Sequence, residues 1–264
     1  MKIIINGLGR IGKLVFRRLC DENLHKNILM VNEKAGSASD QEYFLRYDTV
    51  HGTWGDDLCF ENGCLNYKDH SIAVMTEGSI ESISFPKSEK FLVVDCTGVN
   101  KSEKLLEPYF ERKASYVLIS APIESSNVQN IVYGINHQSI DTSAYKIFTA
   151  ASCTTNCLAP IVKVLEENIG IKHGSITTIH NITNSQTIVD APKNNLRRSR
   201  SGINSLIPTT TGSARAISLI YPELKGRLNG HAVRVPLLNA SLTDCVFGMK
   251  PVSYTHLRAH ETSL

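Results

Sequence analysis

Several things are missing from this sequence, and each absence narrows it. No apolar run approaches the ~20 residues that cross a bilayer as a helix, so no membrane span is expected. The charges nearly cancel, with 28 Lys and Arg against 25 Asp and Glu. A net charge of +3 is too mild to argue for a nucleic-acid partner. No leader is expected, since Met1 runs into Lys2-Ile3-Ile4-Ile5 and a glycine motif, which do not resemble a signal peptide. A cytoplasmic location is therefore expected, and Asn181-Ile182-Thr183 and Asn239-Ala240-Ser241 are accidental matches to the glycosylation pattern. The seven cysteines are an odd set, which suits free thiols in a reducing compartment. Cys59 and Cys64 have no second Cys or His cluster to complete a metal site. Repeats and low-complexity linkers are also lacking. What is left is an ordinary globular composition, long enough for one large or two modest domains.

Near the middle stands Ala151-Ser152-Cys153-Thr154-Thr155-Asn156-Cys157-Leu158-Ala159-Pro160. An apolar run, Lys146 to Ala150, leads in, and an amphipathic stretch, Leu158 to Ile169, leads out. The pattern predicts strand, tight turn and helix, with Cys153 at the turn. A thiol there meets unpaired N–H groups and the positive end of a helix dipole, both of which favour the nucleophilic thiolate. The alternative is a buried Cys serving as a small hydrophobe. Ser152, Thr154, Thr155 and Asn156 favour the reactive reading, being poor core-fillers and good donors around a developing charge.

The N-terminal segment predicts a dinucleotide site. Ile3-Ile4-Ile5 reads as a buried strand, Asn6-Gly7-Leu8-Gly9-Arg10-Ile11-Gly12 follows, and a helical pattern carries Ile11, Leu14, Val15, Arg18 and Leu19 down one side. This is G-x-G-x-x-G between strand and helix. Gly7 permits the turn, Gly9 lets a pyrophosphate approach the backbone, and Gly12 allows close helix–strand packing. A second strand, Ile28 to Val31, precedes Glu33, whose carboxylate can accept from a ribose diol and would repel a 2′-phosphate. NAD is therefore preferred to NADP; a solvated loop Glu is the plain alternative. Residues 34–90 say less, and His51 reads as structural. Further strands, Phe91 to Asp95, Tyr116 to Ile119 and Lys146 to Ala150, end in small polar residues, including Thr97 and Ser120, as ligand-binding strand ends do.

In the second half Ser175 to His180 alternates like a strand, and a His there is worth testing as the base for a reactive Cys. A long weakly periodic segment, Thr183 to Ile207, holds Leu196-Arg197-Arg198-Ser199-Arg200: a solvated basic face, or guanidinium groups for phosphate. Pro208-Thr209-Thr210-Thr211-Gly212-Ser213-Ala214 opens a helical stretch and offers an anion cradle.

The central decapeptide and the segments around it resemble the phosphorylating glyceraldehyde-3-phosphate dehydrogenases and their erythrose-4-phosphate dehydrogenase relatives, over roughly residues 1–249. The resemblance implies an α/β fold: a Rossmann-type doubly wound parallel sheet in an NAD-binding domain (1–150), then an α+β catalytic domain (151–250). It implies Cys153 as nucleophile and His180 as general base. It puts Gly7, Gly9, Arg10, Ile11, Gly12, Glu33, Thr97 and Ser120 on NAD, and Ser152 and Thr154 beside the substrate. By the same matching, Thr183 and Arg234 hold the substrate's phosphate, while Thr211, Gly212 and Arg200 hold the attacking anion. Arg197 and Arg198 are left as surface or interface residues. The implied reaction oxidises glyceraldehyde 3-phosphate, with inorganic phosphate, to the acyl phosphate 1,3-bisphosphoglycerate in a homotetramer.

Glu33 stands where the family more often has Asp, and Glu occurs in some branches, the erythrose-4-phosphate enzymes included, so that substrate stays open. Ala150 to Thr154, Gly170 to Gly174, Thr183 to Thr187, Ile207 to Ser213 and Leu224 to His231 together resemble a bacterial branch associated with arsenate resistance, which implies arsenate in place of phosphate. A non-catalytic RNA-binding relative is a third reading, against which Cys153, His180 and the small net charge all count. From about Pro251 the resemblance stops. Residues 251–264 read as a non-native tail, and the catalytic domain as incomplete at its C-terminus, without the family's later strands, final helix and nicotinamide-orienting Asn. Poor solubility is the expected consequence.

Overall fold

The computed structural model describes residues 1–86 and 90–251, so residues 252–264 of the proposed tail lie outside the description. The chain divides into two compact units: Met1–Ile131 with His137–Ser152, and Val132–Asn136 with the chain from Cys153 onward.

The first unit runs β1 (Lys2–Asn6), α1 (Arg10–Asp21), β2 (Ile28–Asn32), α2 (Asp40–Arg46), a hairpin of β3 (Tyr47–Asp48) and β4 (Gly52–Thr53), then β5 (Leu58–Glu61), β6 (Cys64–Tyr67), β7 (His70–Met75), β8 (Phe91–Asp95), α3 (Glu103–Glu111), β9 (Ala114–Ile119), β10 (Val128–Asn130) and β11 (Ile147–Thr149). One sheet has the order β10-β11-β9-β8-β1-β2-β7-β6-β5. It is parallel from β10 to β7 and antiparallel at β6 and β5. The central strands are, Lys2 apart, apolar up to their polar last residues because both faces are covered. Ile4, Phe91, Val93, Leu106 and Tyr109 pack on one side; Ile5, Phe16, Ile28, Val31 and Ile72 pack on the other. Each such side chain contributes about 1.5–3 kcal/mol of burial. This is the doubly wound α/β arrangement, and its strand order reverses between β1 and β8.

Two details differ from the pattern in the sequence. The buried stripe of α1 is Gly12, Phe16 and Cys20, and Ile11 is 46% exposed. The helix is rotated so that Gly12, not Ile11, lies against the turn. Residues 58–75, part of the stretch about which the sequence says less, form three antiparallel strands. Asn62 (φ 52°) and Gly63 (φ 80°) close the β5–β6 hairpin with positive φ at both central residues, as a two-residue turn of this twist demands.

The second unit holds α4 (Cys153–Asn168), β12 (Ile171–Asn181), β13 (Ile207–Thr210), α5 (Ser213–Ile220), β14 (Leu228–Val235) and β15 (Ser241–Met249). Its sheet has the order β13-β14-β12-β15, with β12 and β14 parallel and the outer pairs antiparallel. Leu158, Ala159 and Val162 of α4 and Ala214 and Ile217 of α5 are buried, as are Ile176 and Ala232 of the sheet. Residues 183–206 carry only a short 3₁₀ turn, Leu196–Ser199, and are tied by a bridge between Thr187 and Ser201. No helix among the described residues is long and apolar enough to cross a membrane.

Candidate active site

The thiol site begins with a backbone turn. Ala151, almost fully buried, takes the left-handed conformation at φ 54°, which an Ala adopts only where its surroundings impose it. Its N–H donates to Thr149 Oγ1 (3.1 Å), and that hydroxyl donates to Asn130 Oδ1 (2.6 Å). Helix α4 then starts at Cys153 itself, five residues before the apolar periodicity suggested. Thr, Thr and Asn are modest helix formers; burial of Thr154 and Thr155 outweighs that preference. The exposed Cys153 thus sits in the first turn, where backbone N–H groups lack helical partners.

Its Sγ lies 3.4 Å from Nε2 of His180, near the end of β12. The Cys153 thiol is lowered from 9.0 to about 7, first by its hydrogen bond with His180, against the opposing effect of burial, with help from Thr154. His180 is 8% exposed. Its Nδ1 lies 2.8 Å from the Asn181 carbonyl, and Arg234 Nη1 lies 2.6 Å from Nδ1 and donates to the same carbonyl at 2.9 Å. Arg234 is there because β12 and β14 are in parallel register, with His180 paired to Arg234. Arg234 can only donate, so its approach to Nδ1 is met by the Nδ1 lone pair, which leaves the hydrogen on Nε2, facing sulfur; the base role of Nε2 requires the other tautomer, with Nδ1–H on the Asn181 carbonyl.

Burial, and then the charge of Arg198, push the Arg234 guanidinium below its ordinary value, while Cys153 acts in the opposite sense. Arg198 donates to Thr209 Oγ1 on β13, with Nε at 3.1 Å. Among the described residues no carboxylate pairs with either guanidinium, so an anion would relieve their repulsion. Arg200, expected to hold the attacking anion, is placed elsewhere. It is 68% exposed and paired with Asp190 at 2.5 Å. The 3₁₀ turn sends Arg198 toward β13 and Arg200 across the loop. Thr211 Oγ1 lies 2.9 Å from Ser213 Oγ, and Gly212 caps α5. Thr183 is held locally: its N–H donates to Gln186 Oε1 (3.0 Å) and its hydroxyl lies 3.0 Å from Ser185 Oγ.

In the first unit the glycine turn fits a pyrophosphate. A Cβ on Gly12 would lie 1.7 Å from the Gly7 carbonyl oxygen, and one on Gly7 (φ +90°) would lie 2.8 Å from the Thr97 nitrogen. A Cβ on Gly9 would meet nothing within 4 Å, so the backbone there stands open. Glu33 reaches this turn: Oε2 accepts from Leu8 N–H (2.7 Å) and Oε1 from Ala35 N–H (3.0 Å). Arg10 and Ile11 form the exposed first turn of α1. Thr97 follows β8, and Ser120 follows β9 with its N–H on the Asp95 carbonyl (3.0 Å). Ser152 ends the first unit, one residue before the thiol.

Comparison with known proteins agrees with this chemistry. The family model described as "Glyceraldehyde 3-phosphate dehydrogenase, NAD binding domain" matches residues 1–103. The one described as "Glyceraldehyde 3-phosphate dehydrogenase, C-terminal domain" matches residues 152–259, running past Pro251. The chain is 45% identical to glyceraldehyde-3-phosphate dehydrogenase 3 of a Nostoc species, over 98% of this chain and 77% of that protein. It is 40% identical to glyceraldehyde-3-phosphate dehydrogenase of Geobacillus stearothermophilus, over 93% and 72%.

Proposed function

The chain belongs to the glyceraldehyde-3-phosphate dehydrogenase family, and from that premise we propose that it oxidises glyceraldehyde 3-phosphate to an acyl phosphate on Cys153, with inorganic phosphate as second substrate. It is an NAD-dependent oxidoreductase of that type. The Cys153 thiolate attacks the aldehyde carbon to give an alkoxide, which takes a proton from the His180 imidazolium; His180 Nε2 takes that proton back as hydride leaves the same carbon. When bound, NAD accepts the hydride. The product left on sulfur is a thioester, whose carbonyl is attacked by a phosphate oxygen; the C–S bond breaks, the acyl phosphate leaves and the thiolate is restored. The Cys153 N–H and the His180 imidazole oppose the charge on the carbonyl oxygen. General-base action of this kind is worth about 10²–10⁴ in rate. Thr183 and Arg234 take the substrate's phosphate, with Ser152 and Thr154 beside the substrate; Thr211 and Gly212 take the attacking anion. The guanidinium that joins them is Arg198 in place of Arg200, on the strength of its position near Arg234.

The observation that carries this reading is the Cys153 Sγ to His180 Nε2 approach of 3.4 Å, beside guanidinium groups that no carboxylate pairs with among the described residues. NADH formation from glyceraldehyde 3-phosphate, NAD and phosphate tests it: Cys153→Ser should abolish the rate, and undiminished turnover in that variant would overturn the assignment. Erythrose 4-phosphate in the same assay decides the other aldehyde. A second reading, arsenate as the attacking anion, is favoured by the segments resembling the arsenate-resistance branch; kcat/KM for arsenate below that for phosphate would count against it. Free cysteines throughout support a cytoplasmic setting; exposed Leu242, Val246 and Ile179 support association between chains, and the family supports a homotetramer as its form.

A further inference from the structure

Beneath the glycine turn lies a polar network that none of the steps above uses. Asp95, the last residue of β8, is fully buried, and among the described residues no cation pairs with it. Four donors converge on its carboxylate. Oδ1 accepts from Thr97 N–H (2.9 Å) and Thr97 O–H (2.6 Å); Oδ2 accepts from Tyr109 O–H (2.8 Å) and Asn100 Nδ2–H (2.7 Å). The Tyr109 oxygen in turn accepts from Asn6 Nδ2 at the end of β1. Asn6 Oδ1 accepts from Asn32 Nδ2 at the end of β2 (2.8 Å), and Asn32 exchanges hydrogen bonds with the backbone of Glu77 (2.8 and 3.0 Å). Register puts these groups side by side, since Asn6 pairs with Asp95 on one flank and with Asn32 on the other.

An apolar residue would fill these sites at less desolvation cost. A buried carboxylate is tolerated where its lone pairs are met, and a met network holds its members in one arrangement. The members here flank the turn. Thr97 is the residue against which Gly7 packs, and Asn32 immediately precedes Glu33. We infer that Asp95 is a positioning residue for the cofactor cradle: it fixes Thr97 directly and, through Tyr109, Asn6 and Asn32, sets the ends of β8, β1 and β2 around the Gly7–Gly12 turn. Burial, and then the charge of Asp95, push the Tyr109 phenol up, so it stays a neutral donor. A carboxylate is required because both flanks present donors. An amide would turn its NH₂ toward either the Thr97 pair or the Tyr109 and Asn100 pair.

The inference rests on reading the glycine turn as the NAD site, and titration of NAD into the whole chain separates the two. Asp95→Asn should raise the NAD dissociation constant about tenfold, and Tyr109→Phe at least threefold. KM for NAD should rise while KM for the aldehyde stays put. A role in packing alone lowers the melting temperature of the unliganded chain and leaves NAD affinity in the folded protein unchanged. Affinity within threefold of wild type in both variants would overturn the proposal while leaving the cradle standing. Should Asp95→Asn not fold, Tyr109→Phe decides alone. A wild-type chain that does not bind NAD would overturn the cradle and the proposal together.

Discussion

At the residue scale, the thiol at position 153 answers to His180 more than to burial. Alkylation by iodoacetamide should rise with pH around a midpoint near 7, because the thiolate is the reacting form. His180→Asn removes the main lowering cause, and the midpoint should move up toward 9.0. At pH 7 the thiolate fraction then falls from about one half to about 1%, so labelling slows about 50-fold. A midpoint unchanged in that variant would show that the helix terminus alone sets the charge. The guanidinium groups give a second contrast. Arg234→Leu should raise KM for the phosphorylated aldehyde about 100-fold, since a buried charge-assisted contact is lost. Arg200→Leu should change it by less than about threefold, as expected for an exposed pair with Asp190. Equal damage from both would return Arg200 to the site. Position 153 could be read from its neighbours in sequence, but the choice between Arg198 and Arg200 could not. Both are arginines two places apart, and only the turn between them decides which one faces β13.

At the element scale, the strand–turn–helix at the N-terminus tolerates no side chain at Gly12. A methyl there would overlap the Gly7 carbonyl, so Gly12→Ala should destabilise the chain by about 1–3 kcal/mol and remove measurable NAD binding. Calorimetry with and without NAD checks both. The same helix is tied to the β3–β4 hairpin by Lys13 and Asp48. Lys13 first, with the His51 and Val50 N–H groups assisting, holds the Asp48 carboxyl far below the usual carboxylate range. The unfolded chain therefore binds this proton at higher pH than the folded one does. The resulting stability is fully present above about pH 4 and is lost as pH falls toward the folded value. Asp48→Asn should lower stability at pH 7 and flatten the acid limb below pH ~4; an acid limb as steep as wild type would exclude the pair as its source. Of the elements, β1, α1, β2 and β8 were legible because strand runs and glycine spacing are local. The start of α4 was not, because burial of Thr154 and Thr155 overrides their own preferences. The β5–β6 hairpin was written in Asn62-Gly63 and could have been seen.

At the scale of the molecule, three apolar side chains stand exposed on one face of the second sheet, among Asp244, Thr177 and Ser175. Leu242 (59% exposed) and Val246 (68% exposed) project from β15, and Ile179 of β12 pairs with Leu242. Exposed apolar groups of this kind favour association. The chain should sediment above its 29.2 kDa monomer mass, and Leu242→Glu with Val246→Glu should return it toward the monomer and improve solubility. Unchanged sedimentation in the double variant would locate the contact elsewhere.

The order of the residues by itself determined the α/β class, the dinucleotide turn and the preference for NAD, and singled out the thiol at position 153; His180 was singled out by family resemblance. All but the last are matters of local spacing or of a side chain with no equal in its neighbourhood. Tertiary structure alone decided which arginine shares the field of Arg234, which face of α1 is buried, and that Asp95, Tyr109, Asn6 and Asn32 form one network. Those outcomes depend on strand register and on contacts between segments up to 103 residues apart, which are set by packing across the whole sheet and which no single stretch of chain encodes.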